Sequence, residues 1–562
     1  MRNTEHRLPD GRTDGRRVDG ESRPDGRTDG RRVDGESRPD ETDDDDDDPG
    51  CPGSLIVVSN RQPYRHEYES QPEGDDGSIV VDEPAGGLTA GLDPVVQEAN
   101  GTWIAWGDGE ADFAVTDAND CVSVPPGEDA YTLHRIDLSE EAVNSYYYGF
   151  SNQVLWPLCH EFPDLIEERS DWANDFEWYR TVNERFADAV AEHASTESIV
   201  WIQDYHFGLA PRLIRERIPK AATIAHFWHI PWPTPETFAK CPVGEELLEG
   251  LLGNDLLGFH VDRYARLFLE CVEQYLDGAV VDHEEWLVDY DEGTTRLATA
   301  AMGIDAETYD EHARAVEDPD ALLEEFGVSP EVTLGLGVDR LDYSKGIPER
   351  LAALERFFER NPDGREEFTF LQKATLSRTG IPAYERLGDL VRSEVTRINS
   401  RFGTDDWQPI VYTEEYVPQK NLCGLYRRAD VMVISPLLDG MNLVAQEFVA
   451  SCVGEGPASE SSPGAPHGDG VLLLSERTGA HERLGADAVT IDPTDTDAFA
   501  AELETALAMP ASERRRRMRS MRTDVFEADL EAWMDSQFDS IRRLHDPSES
   551  NDDDPGARTP QI

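Results

Sequence analysis

From Leu55 onward the chain alternates short apolar, β-branched runs with longer stretches whose apolar residues recur every three or four positions. Runs of the first kind are buried strands and stretches of the second are amphipathic helices, so their alternation predicts an α/β fold with parallel sheets. Strands are expected at 55–58, 199–202, 222–228 and 256–259, then at 332–338, 368–372, 431–434, 471–474 and 489–491. Helical spacing fits 182–193, 348–360, 383–399 and 525–544.

Gly, Asp, Glu and Pro accumulate over 303–330, where a linker between two domains is expected, and the Gly-, Ser- and Pro-rich stretch 453–470 reads as a surface loop. Upstream, residues 10–24 read DGRTDGRRVDGESRP and 25–39 repeat this word for word, ahead of an Asp run from Asp43 to Asp48. Such a segment has too few apolar residues to offset the entropy of ordering it. The expected organisation is a disordered repeat and acidic extension over 1–53, Rossmann-like domains over 54–325 and 326–545, and a disordered acidic tail over 546–562.

Charge changes the picture. The 562 residues carry 115 Asp and Glu against 51 Lys and Arg, a formal net charge of −64, which excludes nucleic acid as a partner. Lysine occurs only at 220, 240, 345, 373 and 420, and acidic residues run through the segments predicted to fold. This composition fits a halophile's protein, since the screening length shrinks to about 3 Å at 1 M salt. The melting temperature is expected to rise with KCl toward the molar range; a salt-independent melt would contradict that reading. Seven cysteines without a C-x-x-C pair support neither a disulfide framework nor a zinc ribbon. No apolar stretch approaches the roughly 18 residues that span a bilayer, so a cytoplasmic enzyme without membrane contact is expected.

In open parallel sheets, ligands collect beyond the carboxyl ends of the strands. Those positions here read Ser59-Asn60-Arg61, Gln203-Asp204-Tyr205-His206, His229, His260, the segment from Asp339 to Gly346, and Asp439-Gly440-Met441-Asn442. Polar residues at so many strand ends suggest two Rossmann-like domains facing each other across an active-site cleft. Arg340 and Lys345 flank a Gly-terminated turn before a helix, the outline of a phosphate site. An ion pair from Arg340 to Asp339 or Asp342 reads the same residues equally well, but Lys345 is one of few lysines. Removing Lys345 is expected to lower turnover with little effect on folding. The paired glycines Gly86-Gly87 suit either a close approach to an anion or a plain turn. No P-loop or dinucleotide fingerprint occurs, and Asp495-Thr496-Asp497 reads better as a helix cap than as a metal-binding D-x-D. No metal-ligand spacing is found.

Taken together, the segments VVSNR (57–61), GGL (86–88), YYGFSNQVLWP (147–157), WIQDYH (201–206), HIPWP (229–233), GVDRLDYSKGIPER (337–350), SRTG (377–380), RFGTDDW (401–407), DGMNLVAQEFVA (439–450) and GVLLLSERTGA (470–480) resemble the trehalose-6-phosphate synthase family of retaining GT-B glycosyltransferases. The resemblance runs in order from about residue 54 to 545. It implies that Gly86, Gly87, Arg340 and Lys345 hold the diphosphate of a nucleotide sugar. Leu443, Val444, Ala445, Gln446 and Glu447 would hold its nucleoside, with main chain near Val417 beside the base. His229 and Asp439 would contact the transferred glucose. Arg61, Tyr147, Trp156, Asp204 and Arg378 would bind glucose 6-phosphate as acceptor. It further implies electrostatic catalysis by Arg340 and Lys345, with no metal and no cofactor. Arg61 is followed by Gln62-Pro63-Tyr64 where the family usually has Leu-Pro-Val, and Ala105 stands where Gly is frequent. No phosphatase signature follows residue 500, so a separate trehalose-6-phosphate phosphatase is expected as pathway partner. A glucosylglycerol-phosphate synthase and a catalytically silent regulatory subunit are the alternatives. Oligomeric state and donor nucleotide are not readable from the chain.

Overall fold

The computed structural model describes residues 55–69, 78–82, 87–452 and 468–545. The repeat, the acidic run, Gly86, most of the 453–470 loop and the tail lie outside the described residues.

The first half holds β1 (Leu55–Ser59), β2 (Arg65–Tyr68), β3 (Ile79–Asp82), β4 (Thr102–Trp106), β5 (Cys121–Val124), β6 (Tyr131–Ile136), β7 (Ile199–Gln203), β8 (Thr223–Trp228), β9 (Leu256–Phe259), β10 (Val280–Asp282), β11 (Leu287–Tyr290) and β12 (Gly293–Thr299). The second half holds β13 (Thr333–Arg340), β14 (Phe368–Thr375), β15 (Ile410–Thr413), β16 (Val431–Ile434), β17 (Val471–Ser475) and β18 (Val489–Ile491). All nine expected strands are present. Among those not expected, β2 (RHEY) and β12 (GTTRLAT) lack a continuous apolar run, whereas β4 (TWIAW) has one that the reading passed over. β6 reads YTLHRI, and its buried Arg135 is held by Gln62 Oε1 at 2.9 Å, the Asp112 carbonyl at 2.6 Å and the Tyr64 carbonyl at 2.9 Å. Gln62 also donates to Asp112 Oδ2 at 2.5 Å, so the residue that departs from the family's usual word belongs to a buried polar network.

The second sheet runs β15-β14-β13-β16-β17-β18, parallel throughout, which is the Rossmann order with its topological switch between β13 and β16. The first sheet runs β10-β11-β12-β9-β8-β7-β1-β4-β6-β5, with a parallel centre, antiparallel edges, and a switch between β1 and β7. β2 and β3 form a separate antiparallel hairpin within the stretch between Arg61 and Gly86.

Two packing results depart from the sequence reading. The helices Ala306–Arg314 and Pro319–Glu325 bury Ala306, Tyr309, Ala313, Leu322 and Leu323 in the core of the second sheet, so that core recruits residues ahead of 326. The single helix expected over 525–544 is two, Ala511–Glu527 and Leu530–His545. Asp529 interrupts them and its carboxylate accepts from Ala532 N–H at 2.9 Å, capping the second. That last helix returns to the first sheet, where Trp533 stacks on Trp201 at 5.6 Å. Asp495 caps the helix Thr496–Leu507 through Ala498 N–H, as read from the sequence.

Candidate active site

At the second switch point β13 ends in Arg340, and a tight turn delivers Lys345 before the helix Ile347–Arg360. Gly346 has φ +64°, and a Cβ there would lie 2.1 Å from the Ser435 carbonyl oxygen, so only glycine lets this turn pass so close to the end of β16. Across the switch, Asn442 caps the helix Leu443–Ser451 by accepting from Ala445 N–H. Lys345 Nζ donates to Asp439 Oδ2 at 2.5 Å, and Asn442 Nδ2 donates to the same oxygen at 3.0 Å. Burial alone would raise the Asp439 carboxyl, but Lys345 and Asn442 override it and hold it below the usual range. Asp339 pairs with Arg350 at 2.6 Å rather than with Arg340. The Arg340 guanidinium lies instead over the Trp156 ring, 5.4 Å from its centroid.

At the first switch point β1 leads to Arg61 and β7 to Asp204, whose φ of 75° and ψ of 169° are a conformation usual only for glycine. The Asp204 carboxylate accepts from Tyr205 N–H at 2.9 Å. Burial pushes it up to about 6, opposed by that N–H and by the positive fields of Arg378, Arg340 and Arg61. Tyr147 and Trp156 come from a wide π-helical segment, Val143–Leu155, and the short helix that continues it, Trp156–Cys159. Such segments concentrate at functional sites. The Tyr147 ring stacks on His206 at 5.7 Å and 11°. Trp156 is sandwiched between His160, at 4.0 Å, and the Arg378 guanidinium, at 4.0 Å.

Arg378 donates to Tyr384 Oη at 2.6 Å and, across the domains, to Tyr205 Oη at 3.1 Å; its Nε is buried with no partner among the described residues. Behind it sits Asp342, fully buried, 3.4 Å from Arg378 and accepting from Tyr384 Oη and Ser344 N–H, each at 3.0 Å. Burial would raise this carboxyl, yet Arg378, Arg340 and the Ser344 N–H hold it at about 2. Tyr384 and His160 were not expected as site residues, and Asp342 and Tyr205 only as members of their strand-end segments, without a role. The scarcity of partners for a buried arginine was the available signal, but it needs a three-dimensional neighbour list to be read.

The fully buried Asp342 and the half-buried Asp204 respond oppositely to pH. Asp342 contributes stability above its ordinary pKa that is lost as pH falls from about 4 to about 2. For Asp204, folded near 6 against an ordinary 3.8, stability is lost as pH rises through that interval. Asp204→Asn, which tolerates positive φ, is expected to raise unfolding free energy at pH 8 by on the order of 1–3 kcal/mol while impairing activity, with no gain at pH 4. Denaturant titrations at both pH values check this; equal effects at both would contradict it.

The remaining expected residues divide. His229 Nε2 donates to Gln203 Oε1 at 3.0 Å, and burial beside His260 and His226 holds it neutral, leaving Nδ1 free to accept. Its carbonyl oxygen lies 2.3 Å from where a Cβ on Gly440 would sit, so glycine permits the two domains to touch here. Tyr264 Oη also bridges them, donating to the Asp439 carbonyl at 2.8 Å. Glu447 accepts from Tyr426 Oη at 3.0 Å and, with Leu443 and Tyr309, lines a cavity of ≈ 620 Å³ between the domains. Burial raises the Glu447 carboxyl. Val417 is buried in the second core, Val444 packs against that core, and Gly87 opens the helix Gly87–Glu98. The Gln446 side chain donates to the Met302 carbonyl at 2.9 Å, and the Ala445 N–H donates to its cap Asn442 at 3.2 Å.

Two sheets meeting at their switch points form the GT-B architecture, and comparison with known proteins agrees. A family model described as Glycosyltransferase family 20 matches residues 53–543. The trehalose-6-phosphate synthase of Mycolicibacterium gilvum is 34% identical over 503 residues, covering 88% of this chain and 94% of that protein. The bifunctional trehalose-6-phosphate synthase/phosphatase of Thermoproteus tenax is 35% identical over 499 residues, covering 85% of this chain but only 62% of that longer protein. A solved structure described as trehalose-6-phosphate from E. coli bound with UDP-2-fluoro glucose superposes with TM-score 0.73 at 32% identity, covering 87% of this chain and 98% of that one. An alpha,alpha-trehalose-phosphate synthase (UDP-forming) from Burkholderia xenovorans in complex with glucose-6-phosphate gives TM-score 0.73 at 31% identity, covering 88% and 100%. Fold, switch-point residues and a match over nearly the whole folded region lead to one conclusion: the chain belongs to glycosyltransferase family 20.

Proposed function

We propose that the chain transfers glucose from UDP-glucose to glucose 6-phosphate with retention of configuration, forming α,α-trehalose 6-phosphate. The observation that carries this is that Arg340 and Arg378 both lie over the Trp156 ring, 5.4 and 4.0 Å from its centroid, and with Arg61 bring positive charge to the strained Asp204 where the two domains meet. In a chain of net charge −64, a dianionic sugar phosphate binds only where local cations reverse the potential. Arg378 and Arg61 address the acceptor phosphate, while Tyr147, Trp156 and Asp204 frame its sugar. Arg340, Lys345 and the Gly86-Gly87 backbone hold the donor diphosphate. Glu447 takes the ribose, Leu443, Val444, Ala445 and Gln446 hold the nucleoside, and main chain near Val417 flanks the base. This divides the chain into an acceptor-binding domain over 54–325 and a donor-binding domain over 326–545, with the helices Ala306–Arg314 and Pro319–Glu325 packed on the second and Leu530–His545 on the first. The relatives' names and the two ligand complexes support this choice of substrates over glycerol 3-phosphate.

Asp439 lies near the expected leaving phosphate but is engaged by Lys345 and Asn442, which suits it to hold glucose hydroxyls rather than act as a nucleophile. Arg340 and Lys345 then stabilise charge developing on the departing diphosphate, whose oxygen takes the proton from the attacking hydroxyl on the same face. Neutral His229 offers an acceptor to the same glucose. Domain closure around the cleft keeps water out. The product would pass to a separate phosphatase in the cytoplasm.

Nucleotide release measured with UDP-, GDP- and ADP-glucose, each against glucose 6-phosphate and glycerol 3-phosphate at high KCl, tests the reading. Fastest release with UDP-glucose and glucose 6-phosphate is expected; preference for glycerol 3-phosphate would overturn the acceptor.

A further inference from the structure

On the far edge of the first sheet, away from the cleft, Cys121, His134 and His193 come together although the outer two are 72 positions apart in sequence. Each arrives on a different element. Cys121 opens β5, His134 faces it across the antiparallel pair with β6, and His193 ends the helix Trp172–His193. Their ligating atoms all lie within 4.8 Å of one another, and His134 Nδ1 is 3.0 Å from His193 Nε2. Cys121 is fixed by its turn: its N–H donates to Asp117 Oδ1 at 3.0 Å and its carbonyl accepts from Asp117 N–H at 2.8 Å. Asp117, Asp120 and Glu192 surround the cluster with negative charge. Neither ring nitrogen nor the thiol takes part in the chemistry proposed for the cleft.

We infer that Cys121, His134 and His193 form a site for a zinc-class divalent ion. Zinc bonds of about 2.3 Å to sulfur and 2.0–2.1 Å to nitrogen put tetrahedral ligand atoms roughly 3.3–3.6 Å apart, so these side chains need only a small rearrangement to close on an ion. Binding replaces the thiol proton, which leaves to solvent with the loss of its hydrogen bond to the Asn119 carbonyl at 3.3 Å, by a sulfur–metal bond, and replaces the histidine–histidine hydrogen bond by two nitrogen–metal bonds. Two imidazoles and a thiolate select zinc or cobalt over magnesium or calcium. Three protein ligands leave a fourth position for water. Because the ligands join the sheet edge to a helix end, the ion acts as a structural clip, and glucosyl transfer does not depend on it.

The test is titration of the tag-free, full-length protein with Co²⁺, then with Zn²⁺. Expected are a thiolate-to-cobalt charge-transfer band and intense visible bands saturating at about one equivalent, both bleached by Zn²⁺, which also raises the melting temperature. Cys121→Ser and His193→Gln should each weaken Zn²⁺ binding by on the order of 100-fold and abolish the melting shift, with turnover in the absence of metal unchanged as proof of folding. Absence of the thiolate band, or binding and melting shifts that survive both substitutions, would overturn the site and assign any bound cobalt to surface carboxylates.

Discussion

Lys345→Ala is expected to lower kcat by on the order of 10²–10³ with a smaller change in either KM, because a cation aimed at developing leaving-group charge acts in the transition state. Sequence reasoning expects folding to be unaffected, but the structure changes that expectation. Lys345 Nζ is the partner of Asp439, whose side chain is only 13% exposed, so truncation strands a carboxylate in a protein interior. Breaking such a pair costs about 3–5 kcal/mol. Lys345→Ala should therefore lose stability as well as turnover, whereas the double change Lys345→Ala with Asp439→Asn should recover much of the stability and none of the turnover. Steady-state kinetics alongside denaturant unfolding separates the two effects. Near-normal turnover in folded Lys345→Ala would remove the diphosphate assignment.

Arg378→Ala is expected to raise KM for glucose 6-phosphate about 10- to 150-fold, with far less change in KM for the nucleotide sugar. A charge-assisted hydrogen bond to phosphate contributes roughly 1.5–3 kcal/mol, which sets that range. The structure supplies the free donor: among the described residues Nε is buried without a partner, while the other two nitrogens are anchored on Tyr384 and Tyr205. The Trp156 face and Asp342 hold the guanidinium plane, so lysine, a point cation without that plane, should not rescue the acceptor KM. Unphosphorylated glucose lacks the group addressed, and its residual turnover should barely change. Equal losses with both acceptors would mean that Arg378 does not read the phosphate.

Much of this fold is legible along the chain because its strands are buried on both faces and so read as unbroken apolar runs, as in Val431–Ile434 or Val471–Ser475. Where burial is achieved by pairing, the signal vanishes. β6 hides a strand behind Arg135, and the break at Asp529 depends on a cap and on the close approach of Gly303, whose Cβ would lie 2.3 Å from the Asp529 carbonyl carbon. The switch-point residues were readable because parallel sheets place chemistry at strand ends. Their support was not: Asp342 lies two residues from Arg340 but serves Arg378, thirty-six positions away. The cluster of Cys121, His134 and His193 carries no spacing signature, because its geometry is set by strand register and a helix terminus.

The central claim is the identity of the bond that this cleft forms. It is tested most directly by NMR on the product made from UDP-glucose and glucose 6-phosphate at high KCl. The account predicts a non-reducing disaccharide phosphate whose two anomeric protons both show the small coupling of α linkages, carrying phosphate on a primary carbon. A reducing product, an inverted anomeric centre, or glucosyl transfer to glycerol 3-phosphate in preference to the sugar phosphate when both are supplied would contradict it.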